Sequence, residues 1–520
     1  MYSCNFNWDC IDMKKSVLFL TLLLFYQNIF GQQIVYSESD RDDSRQLEFE
    51  IIGKFKQRYL IYKNSRSRHS IAVYDSEMKA VQKVSLGFIP DRVLNVDVFN
   101  CNTHAVLIYQ FERKRTVYCM GVLIDTLGNP VGVPQQLDTT EIPTFGDSKI
   151  YSVISSDDKQ KFMVFKMKNH SKDELEFQTL LLSNQFSLIK RSGFMYALDR
   201  TTESISDFYL DNAGDFLFSH VTRPASRDYI VQAQLVVLPA GESEFKRIPL
   251  QLDRVFLDEL RIKVDNINRR YILASLYSKT KRGNIDGLFV AIVPKDSANT
   301  LHEYAYEFSD EFRAQAKGES SQRFAFNDFY LKHFFLKKDG SFLVTGESSY
   351  NNSRGNNFNR WDHPWQGASP WGFGGYWGWS PYNNWGWRSP WGWNSYGAPQ
   401  TVRYYADNIM IASVDRQGVL QWNSVLIKSQ FDDNTDQLLS YQCLNSGGEL
   451  LFLFNEWNRR TPLLSGYALQ TSGKLTKMPP LRSLDGGYEF LIRFGKQVAA
   501  KELIVPCNYR NTLVFARVQF

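Results

Sequence analysis

Tryptophan is concentrated in one stretch of this sequence, and the chemistry this residue type offers is stacking on flat or apolar surfaces. Nine of the twelve tryptophans lie between Trp361 and Trp393, where Ala368 is the only aliphatic residue. Pro-Trp and Trp-Gly-Trp fragments recur there, so residues 351–400 form a low-complexity segment, which we call the aromatic insert. A segment with so few aliphatic residues cannot build a hydrophobic core, so its tryptophan rings need a binding partner outside the segment. We therefore predict ligand-binding roles for Trp361, Trp365, Trp371, Trp377, Trp379, Trp385, Trp387, Trp391 and Trp393.

Arginine and lysine recur in polar turns, most densely at Arg113, Lys114 and Arg115, which we also predict to bind the ligand. Turns of the same kind carry Arg66, Arg68, Lys172, Arg223, Arg227, Lys279, Lys281, Arg282, Arg459, Arg460 and Arg510, and the insert region adds Arg354, Arg360, Arg388 and Arg403. Positive charge beside aromatic rings indicates a site for an anionic polymer. The alternative is an ordinary solvated surface. Acids in neighbouring connections would interrupt the positive field: Asp91, Glu141, Asp258, Asp310, Asp432, Asp433 and Asp436.

The sequence offers little for catalysis or metal binding. Its seven histidines, among them His69, His104 and His333, lack the paired spacing of zinc ligands, and it contains no Gly-x-Ser-x-Gly nucleophile motif. Segments 211–215 and 432–436 are rich in Asp and Asn, which indicates either calcium loops or simple turns. We predict no catalytic residue, no metal and no cofactor.

A repeated unit of strands must position these residues. Residues 208–218 align without a gap to residues 334–344, and the same turn and strand return at 448–452. Each unit contains an inner strand, a second strand that is apolar on both faces, a third apolar strand and a half-polar last strand, which is the pattern of a propeller blade. The units begin near Leu47, Leu94, Ile150, Ile205, Leu260, Phe326, Leu438 and Tyr488.

We predict an all-β fold, a β-propeller of eight four-stranded blades, with seven blades as the alternative. The strand Ile34, Val35 and Tyr36 should close the ring by joining the last unit, which has three strands of its own. In its repeat rhythm and its Asp-x-x-Gly turns, at 125–128 and 415–418, the chain resembles the secreted β-propeller superfamily over nearly its whole mature length. The resemblance implies a fold and no specific activity.

An outer-membrane β-barrel is the competing fold, because the chain ends in Phe520 after a stretch of alternating apolar residues. Barrel strands, however, alternate strictly over about ten residues. The apolar runs at 59–62 and 271–276 are continuous instead, and this favours the propeller.

The N-terminus has the layout of a secretory signal peptide. Lys14 and Lys15 precede an apolar run at 17–25 that is too short to span a bilayer stably, although a membrane anchor is the alternative. We expect translation to start at Met13, residues 1–31 to form the signal region, and residues 32–520 to form one propeller domain without a transmembrane helix. The protein should be exported to the periplasm, the cell surface or the medium.

Four cysteines remain in the mature chain, namely Cys101, Cys119, Cys443 and Cys507, which is too few for a disulfide scaffold. Cys101 and Cys119 flank a predicted hairpin out of register, so we predict no bridge between them. The formal net charge of +5 is mildly basic and gives no reason to expect a nucleic-acid partner.

The leading hypothesis is an exported, non-catalytic protein that binds a polysaccharide or other envelope polymer through the aromatic insert, with arginines adding charge and cation-π contacts. A second hypothesis is a scaffolding protein that binds another envelope protein. A third is a carbohydrate-active enzyme. For that class the carboxylates to watch are Asp97, Asp207 and Asp328, since they lie on predicted inner strands. Simple contact with channel water is the alternative for these three.

Overall fold

Alternating apolar strands and polar turns fold into eight separate antiparallel sheets in a computed structural model of the protein. The structure describes residues 33–39, 47–143, 149–224, 229–296, 301–317, 328–353, 402–433, 435–458, 461–481 and 487–520. In each sheet the first strand is innermost and follows the preceding sheet in the chain, which is the arrangement of an eight-bladed β-propeller. The predicted fold and the count of eight blades are confirmed.

The first four blades are regular four-stranded sheets. Blade 1 contains β2 (Glu48–Phe55), β3 (Arg58–Ser65), β4 (Arg68–Tyr74) and β5 (Ala80–Ser85). Blade 2 contains β6 (Asn95–Asn100), β7 (Ala105–Arg113), β8 (Thr116–Ile124) and β9 (Pro130–Glu141). Blade 3 contains β10 (Tyr151–Ser155), β11 (Lys161–Asn169), β12 (Glu174–Ser183) and β13 (Leu188–Ala197). Blade 4 contains β14 (Glu203–Leu210), β15 (Phe216–Thr222), β16 (Gln232–Leu238) and β17 (Lys246–Pro249).

Three of the remaining blades carry an additional short strand. Blade 5 contains β18 (Phe256–Leu257), β19 (Arg261–Asp265), β20 (Arg270–Ser278), β21 (Gly287–Pro294) and β22 (His302–Glu307). Blade 6 contains β23 (Phe329–Leu336), β24 (Phe342–Ser353), β25 (Val402–Val414), β26 (Leu420–Leu426) and β27 (Phe431–Asp433). Blade 7 contains β28 (Tyr441–Asn445), β29 (Leu450–Asn458), β30 (Thr461–Leu469) and β31 (Leu475–Lys477). Blade 8 contains β32 (Tyr488–Phe490), β33 (Lys496–Ala499), β34 (Glu502–Tyr509), β35 (Thr512–Gln519) and the N-terminal β1 (Gln33–Tyr36).

The ring closes as predicted, because β1 is the outermost strand of blade 8. It pairs antiparallel with β35, with Ile34 opposite Val518. The Tyr36 ring stacks on Tyr488 at a centroid distance of 3.8 Å, and Tyr488 stacks on Tyr509 at 4.2 Å. The two ends of the described chain therefore share one sheet, and blade 8 depends on both.

The hydrophobic core lies between the blades. The described buried residues form eight clusters, each made by the facing sides of two neighbouring blades. Second strands have neighbours on both sides and are apolar on both faces, as in β20, which is buried along its whole length. In the turn after β8, a Cβ atom on Gly128 would lie 2.9 Å from Ile71 of blade 1. The Asp-x-x-Gly turn therefore needs glycine for close packing between blades as well as for its φ of 84°.

One helix, α1 (Asp310–Lys317), was not foreseen in the sequence. It follows blade 5 and buries Phe312 and Ala316. The Ser309 hydroxyl accepts a hydrogen bond from the Phe312 N–H at 3.2 Å, and Asp310 and Glu311 lie in the first turn. A serine cap followed by acidic residues is a recognisable helix start, but two turns are too short to show periodicity.

The blade topology defines two faces of the propeller. The hairpins that join second to third strands lie at one end of every sheet, which we call the hairpin face. The turns that join first to second strands lie at the opposite end, which we call the turn face. Since consecutive strands are antiparallel, the connections between blades also lie on the hairpin face.

Candidate functional site

The aromatic insert leaves the hairpin face of blade 6. Strands β24 and β25 pair up to Ser353 and Val402, so the chain between them is the second-to-third-strand connection. The predicted ligand-binding tryptophans all lie outside the described residues: Trp361, Trp365, Trp371, Trp377, Trp379, Trp385, Trp387, Trp391 and Trp393. The structure thus fixes where the insert is attached, and the binding roles of its rings stay a prediction.

The two strands that carry the insert are tied together near their ends. Tyr350 of β24 and Tyr405 of β25 stack with ring centroids 4.6 Å apart. The Tyr350 hydroxyl donates a hydrogen bond of 2.8 Å to Asp407, and burial together with the Asp407 charge raises the pKa of Tyr350. These contacts give the insert an ordered base.

A buried ion pair lies close to this base, since its acid, Glu347, precedes Tyr350 in β24. Lys428 Nζ lies 2.8 Å from Glu347 Oε1, and both side chains are fully buried. Ser440 Oγ donates to the other carboxylate oxygen at 2.5 Å. Burial opposes the charge on Glu347, but Lys428, Lys332 and Ser440 outweigh it and lower the pKa of this carboxyl. Glu347 and Lys428 both belong to blade 6, and Ser440, just before β28, links them to blade 7.

Arg403, predicted as a basic residue of the insert region, is engaged by its own blade. Its guanidinium binds Asp433 through two nitrogens, Nε at 2.7 Å and Nη2 at 3.0 Å. The same group lies over the Phe431 ring at 4.7 Å. Because of the Arg403 hydrogen bonds the pKa of Asp433 is lowered. Arg403 and Asp433 therefore offset each other at the foot of the insert.

Arg113, Lys114 and Arg115 form the tip of the β7–β8 hairpin, on the same face as the insert. All three are exposed, and within the described residues none of them makes an ion pair with an acid. Lys114 and Arg115 have φ angles of 52° and 60°, so two bulky residues occupy left-handed positions that usually favour Asn or Gly. Lys56 and Arg269 on the turn face have the same conformation, so it is not a mark of function by itself.

The rest of the hairpin face is not uniformly positive. Lys279 pairs with Glu307 at 2.7 Å, and Arg223 donates to the Asp258 carbonyl at 3.0 Å. Arg510 lies over the ring of its neighbour Tyr509. Among the described residues, Arg66, Lys172 and Lys281 are also exposed without an ion pair, so the 113–115 tip differs from them in carrying three adjacent charges.

The two Asp-rich segments considered for calcium have basic partners. Asp211 and Asp215 contact Lys295 Nζ at 2.5 and 2.8 Å. Asp436 binds the Arg493 guanidinium at 2.7 Å, and Arg493 helps to lower the pKa of this carboxyl against the effect of burial. Asp211 and Asp215 thus share one lysine, whereas Asp436 has an arginine of its own. Over the described ranges there is no group of three or more His, Cys, Asp or Glu residues that could hold a metal.

The inner-strand carboxylates occupy different environments. Asp207 is buried in blade 4, where it accepts the Ile262 N–H at 2.7 Å and lies 3.5 Å from Arg261. Burial raises the pKa of Asp207 to about 6, although Arg261 opposes the shift. Asp97 is half-buried, and burial raises its pKa as well. Asp328 is buried at the start of blade 6. They lie on separate blades, and the structure brings no two of them together.

Sequence reasoning missed Glu50, which lies on β2 beside the channel. Its Oε1 is 3.2 Å from Lys496 Nζ, and Lys496 also donates to the Ile51 carbonyl at 2.7 Å. Burial raises the pKa of Glu50 to about 7 despite Lys496, and the charge of Asp97 adds to the shift. A signal was present, because Glu50 stands between the apolar residues Phe49 and Ile51 in a predicted inner strand.

The four described cysteines are free and buried, in agreement with the absence of a predicted Cys101 to Cys119 bridge. Burial raises the pKa of Cys101 to about 11, so its thiol is protonated and unreactive near neutral pH.

The fold places the protein in the class of eight-bladed β-propellers, and comparisons with known proteins do not assign it to a family within that class. No known family matches the chain, and no curated protein matches it. Prolyl oligopeptidase B from Galerina marginata has a TM-score of 0.40 and 6% identity, with 90% of this chain and 56% of that chain covered. An apocarotenoid oxygenase from Synechocystis has a TM-score of 0.31 and 10% identity, with 96% and 95% covered. Likeness at this level bears on neither activity nor ligand.

The described part of the chain contains no helix that is long and apolar enough to cross a membrane.

Proposed function

We propose that the protein is an exported, non-catalytic binding protein whose propeller presents the aromatic insert to a polysaccharide or another envelope polymer. The observation that carries the proposal is the attachment of the insert: both of its ends leave a hairpin braced by the Tyr350–Tyr405 stack. A braced base anchors both ends of the insert at the hairpin face, where its rings would meet a polymer. Each stacked ring contributes about 1 kcal/mol, so affinity arises from several weak contacts on one polymer.

The unpaired 113–115 hairpin supports an acidic polymer as the preferred ligand. Its three positive charges lie on the face from which the insert leaves. Long-range attraction to a polyanion would bring the polymer to this face, and the rings of the insert would then hold it by stacking. Neutral polymers would use the rings alone.

Pull-down on insoluble polysaccharides tests the proposal. In the deletion variant, residues 354–401 are replaced by an Asn-Gly turn that joins Ser353 to Val402, and this variant should lose binding. The matched control is Trp457→Ser, which removes a tryptophan that is 44% exposed outside the insert and should leave polysaccharide binding unchanged. Equal retention of wild type and the deletion variant on every polymer would contradict the proposal.

A second candidate is a scaffolding protein of the envelope, and exposed apolar side chains near the insert favour it. Phe431 is 51% and Trp457 44% exposed, on the neighbouring blades 6 and 7. Aromatic side chains of this kind are common anchors in protein interfaces. Loss of a co-purifying envelope protein from both the deletion variant and Trp457→Ser, with polysaccharide binding absent throughout, would favour this candidate.

A further inference from the structure

Three strands of blade 6 lie side by side at the foot of the aromatic insert, namely β24, β25 and β27. Tyr350 of β24 is opposite Tyr405 of β25, and Tyr405 is opposite Phe431 of β27. In the same register, Arg403 is opposite Asp433. Residues two apart on a strand point to the same side of a sheet, so these side chains share one side. We call Arg403, Tyr405, Phe431 and Asp433 the blade 6 platform.

Aromatic rings form a continuous row along one edge of the platform. Tyr350 stacks on Tyr405 at a centroid distance of 4.6 Å, and Tyr405 lies 6.2 Å from Phe431 at an interplanar angle of 43°. Tyr350 and Tyr405 are half-buried, whereas Phe431 at the end of the row is 51% exposed. The row therefore supports Phe431 from one side and leaves half of its ring surface to solvent.

A polar pair borders the exposed ring. The Arg403 guanidinium lies 4.7 Å from the Phe431 centroid and binds Asp433 through Nε at 2.7 Å and Nη2 at 3.0 Å. Both polar side chains are 44% exposed. A guanidinium has five N–H donors and a carboxylate has about four acceptor positions, so each group keeps hydrogen-bonding capacity after it has bound the other. Because the opposite charges are in contact, the pair offers donors and acceptors without net charge.

We propose that the blade 6 platform binds one uncharged sugar ring, with Phe431 against a C–H face of the sugar and with Arg403 and Asp433 bound to its hydroxyls. An exposed aromatic ring stacks on an apolar face. Sugar hydroxyls both donate and accept hydrogen bonds, which matches a pair that supplies both groups. An acidic sugar would instead compete with Asp433 for Arg403. The role of this subsite rests on the proposed polymer binding, since it takes one sugar of a polymer that the insert holds.

Fluorine NMR on the full-length protein tests the inference. The label is 4-fluorophenylalanine in place of Phe431, and the probe is cellotetraose, a neutral oligomer of β-linked glucose. The fluorine resonance should shift and saturate as cellotetraose is added, because the sugar covers the labelled ring. The same label in place of Phe245, which is half-buried on the turn face, should not shift. A resonance at position 431 that does not respond would overturn the inference.

Substitutions of the polar pair, each made in the labelled protein, test the hydrogen bonds. Arg403→Met should weaken cellotetraose binding about threefold to tenfold, the loss expected for one or two hydrogen bonds. Ile267→Ser is the matched control, since Ile267 is a large apolar residue that is 77% exposed on the turn face, and it should leave the affinity unchanged. Equal affinities of Arg403→Met and Ile267→Ser would contradict the role of the pair.

The preference for an uncharged sugar has its own test. Tetragalacturonate, an oligomer of an acidic sugar, should shift the resonance at 431 less than cellotetraose does. Asp433→Asn leaves the Arg403 charge without its carboxylate partner and should reverse this order. A stronger response of the unsubstituted platform to tetragalacturonate would overturn the assignment of an uncharged ligand.

The platform and the insert can fail separately. The pull-down on polysaccharides reports on the insert, because one weak subsite does not survive washing, whereas the fluorine resonance reports on Phe431. The variant with 354–401 replaced should lose the pull-down and still show the cellotetraose shift. Retention of the pull-down together with the shift would refute the role of the insert and leave the platform intact. Loss of the shift from this variant, with its circular dichroism unchanged, would overturn the platform as a subsite built by blade 6 itself.

Discussion

The ion pair beneath the aromatic insert gives the most quantitative prediction. Lys428 Nζ contacts Glu347 at 2.8 Å, the Ala406 carbonyl at 2.6 Å and Gln430 Oε1 at 2.8 Å, with no solvent exposure of either charged side chain. Lys428→Met keeps the aliphatic length and removes the charge. Glu347 then keeps only Ser440 and the more distant Lys332, whose Nζ lies 3.7 Å away.

A buried charge that loses its partner costs about 3–5 kcal/mol of unfolding free energy. The entropy of unfolding is about 2.1 cal/mol/K per residue, which for roughly 490 residues is about 1 kcal/mol/K. We therefore expect the melting temperature to fall by about 3–5 °C. The same loss should appear in urea as a lower midpoint with an unchanged slope.

Two further variants show whether charge is the cause. Lys428→Met combined with Glu347→Gln removes both charges and should recover most of the loss, because no uncompensated ion remains. Lys279→Met breaks an exposed pair with Glu307, in which both side chains are about half exposed, and should cost less than about 1 kcal/mol.

The pH dependence has a definite sign. In wild type the lowered pKa of Glu347 contributes stability above the unfolded pKa near 4.5, and this is lost as the pH falls through the lower folded value. In Lys428→Met the buried carboxyl has a raised pKa, so the deficit relative to wild type should shrink between pH 7.5 and pH 5. A deficit under 1 kcal/mol at pH 7.5, or one that grows toward acid pH, would refute this account of the pair.

Three further predictions concern the insert, the hairpin and the channel. Replacing 354–401 by a short turn should leave the melting temperature within a few degrees of wild type, since the segment lacks aliphatic core residues and a shorter loop costs less entropy; calorimetry checks this. Changing Arg113, Lys114 and Arg115 together to serine should weaken binding to an acidic polysaccharide and reduce its salt dependence, with little effect on a neutral glucan. Wild type should lose up to about 3 kcal/mol of stability as the pH rises from 4.5 through about 7, because the raised pKa of Glu50 stabilises the fold only while the proton is bound. Glu50→Gln should abolish this loss, and melting curves recorded against pH measure it.

The sequence was sufficient for the architecture because blade structure repeats locally. The inner strands start within a few residues of the predicted unit starts, for example at Asn95 against Leu94 and at Tyr488 itself. Second strands that are apolar along their whole length must be covered on both faces. In a ring of sheets every sheet has a neighbour on each side, so all eight second strands are covered. Closure by β1 followed from the same logic, since the last unit lacked an outer strand.

The channel was not predictable in the same way, because its chemistry depends on which blades face each other. Glu50 and Lys496 are far apart in sequence and meet only when the ring closes. The basic partners of the Asp-rich segments were hidden for the same reason, as in the contact of Lys295 with Asp211.

The position of the 113–115 tip determines how binding on the hairpin face should respond to salt. The tip is solvated and its charges act at long range, so binding of an acidic polysaccharide there should depend strongly on salt. A neutral glucan would contact aromatic rings and not the tip, so its binding should change little as the salt concentration rises. A similar salt slope for both polymers would mean that the 113–115 charges do not contribute to binding, contrary to their proposed role.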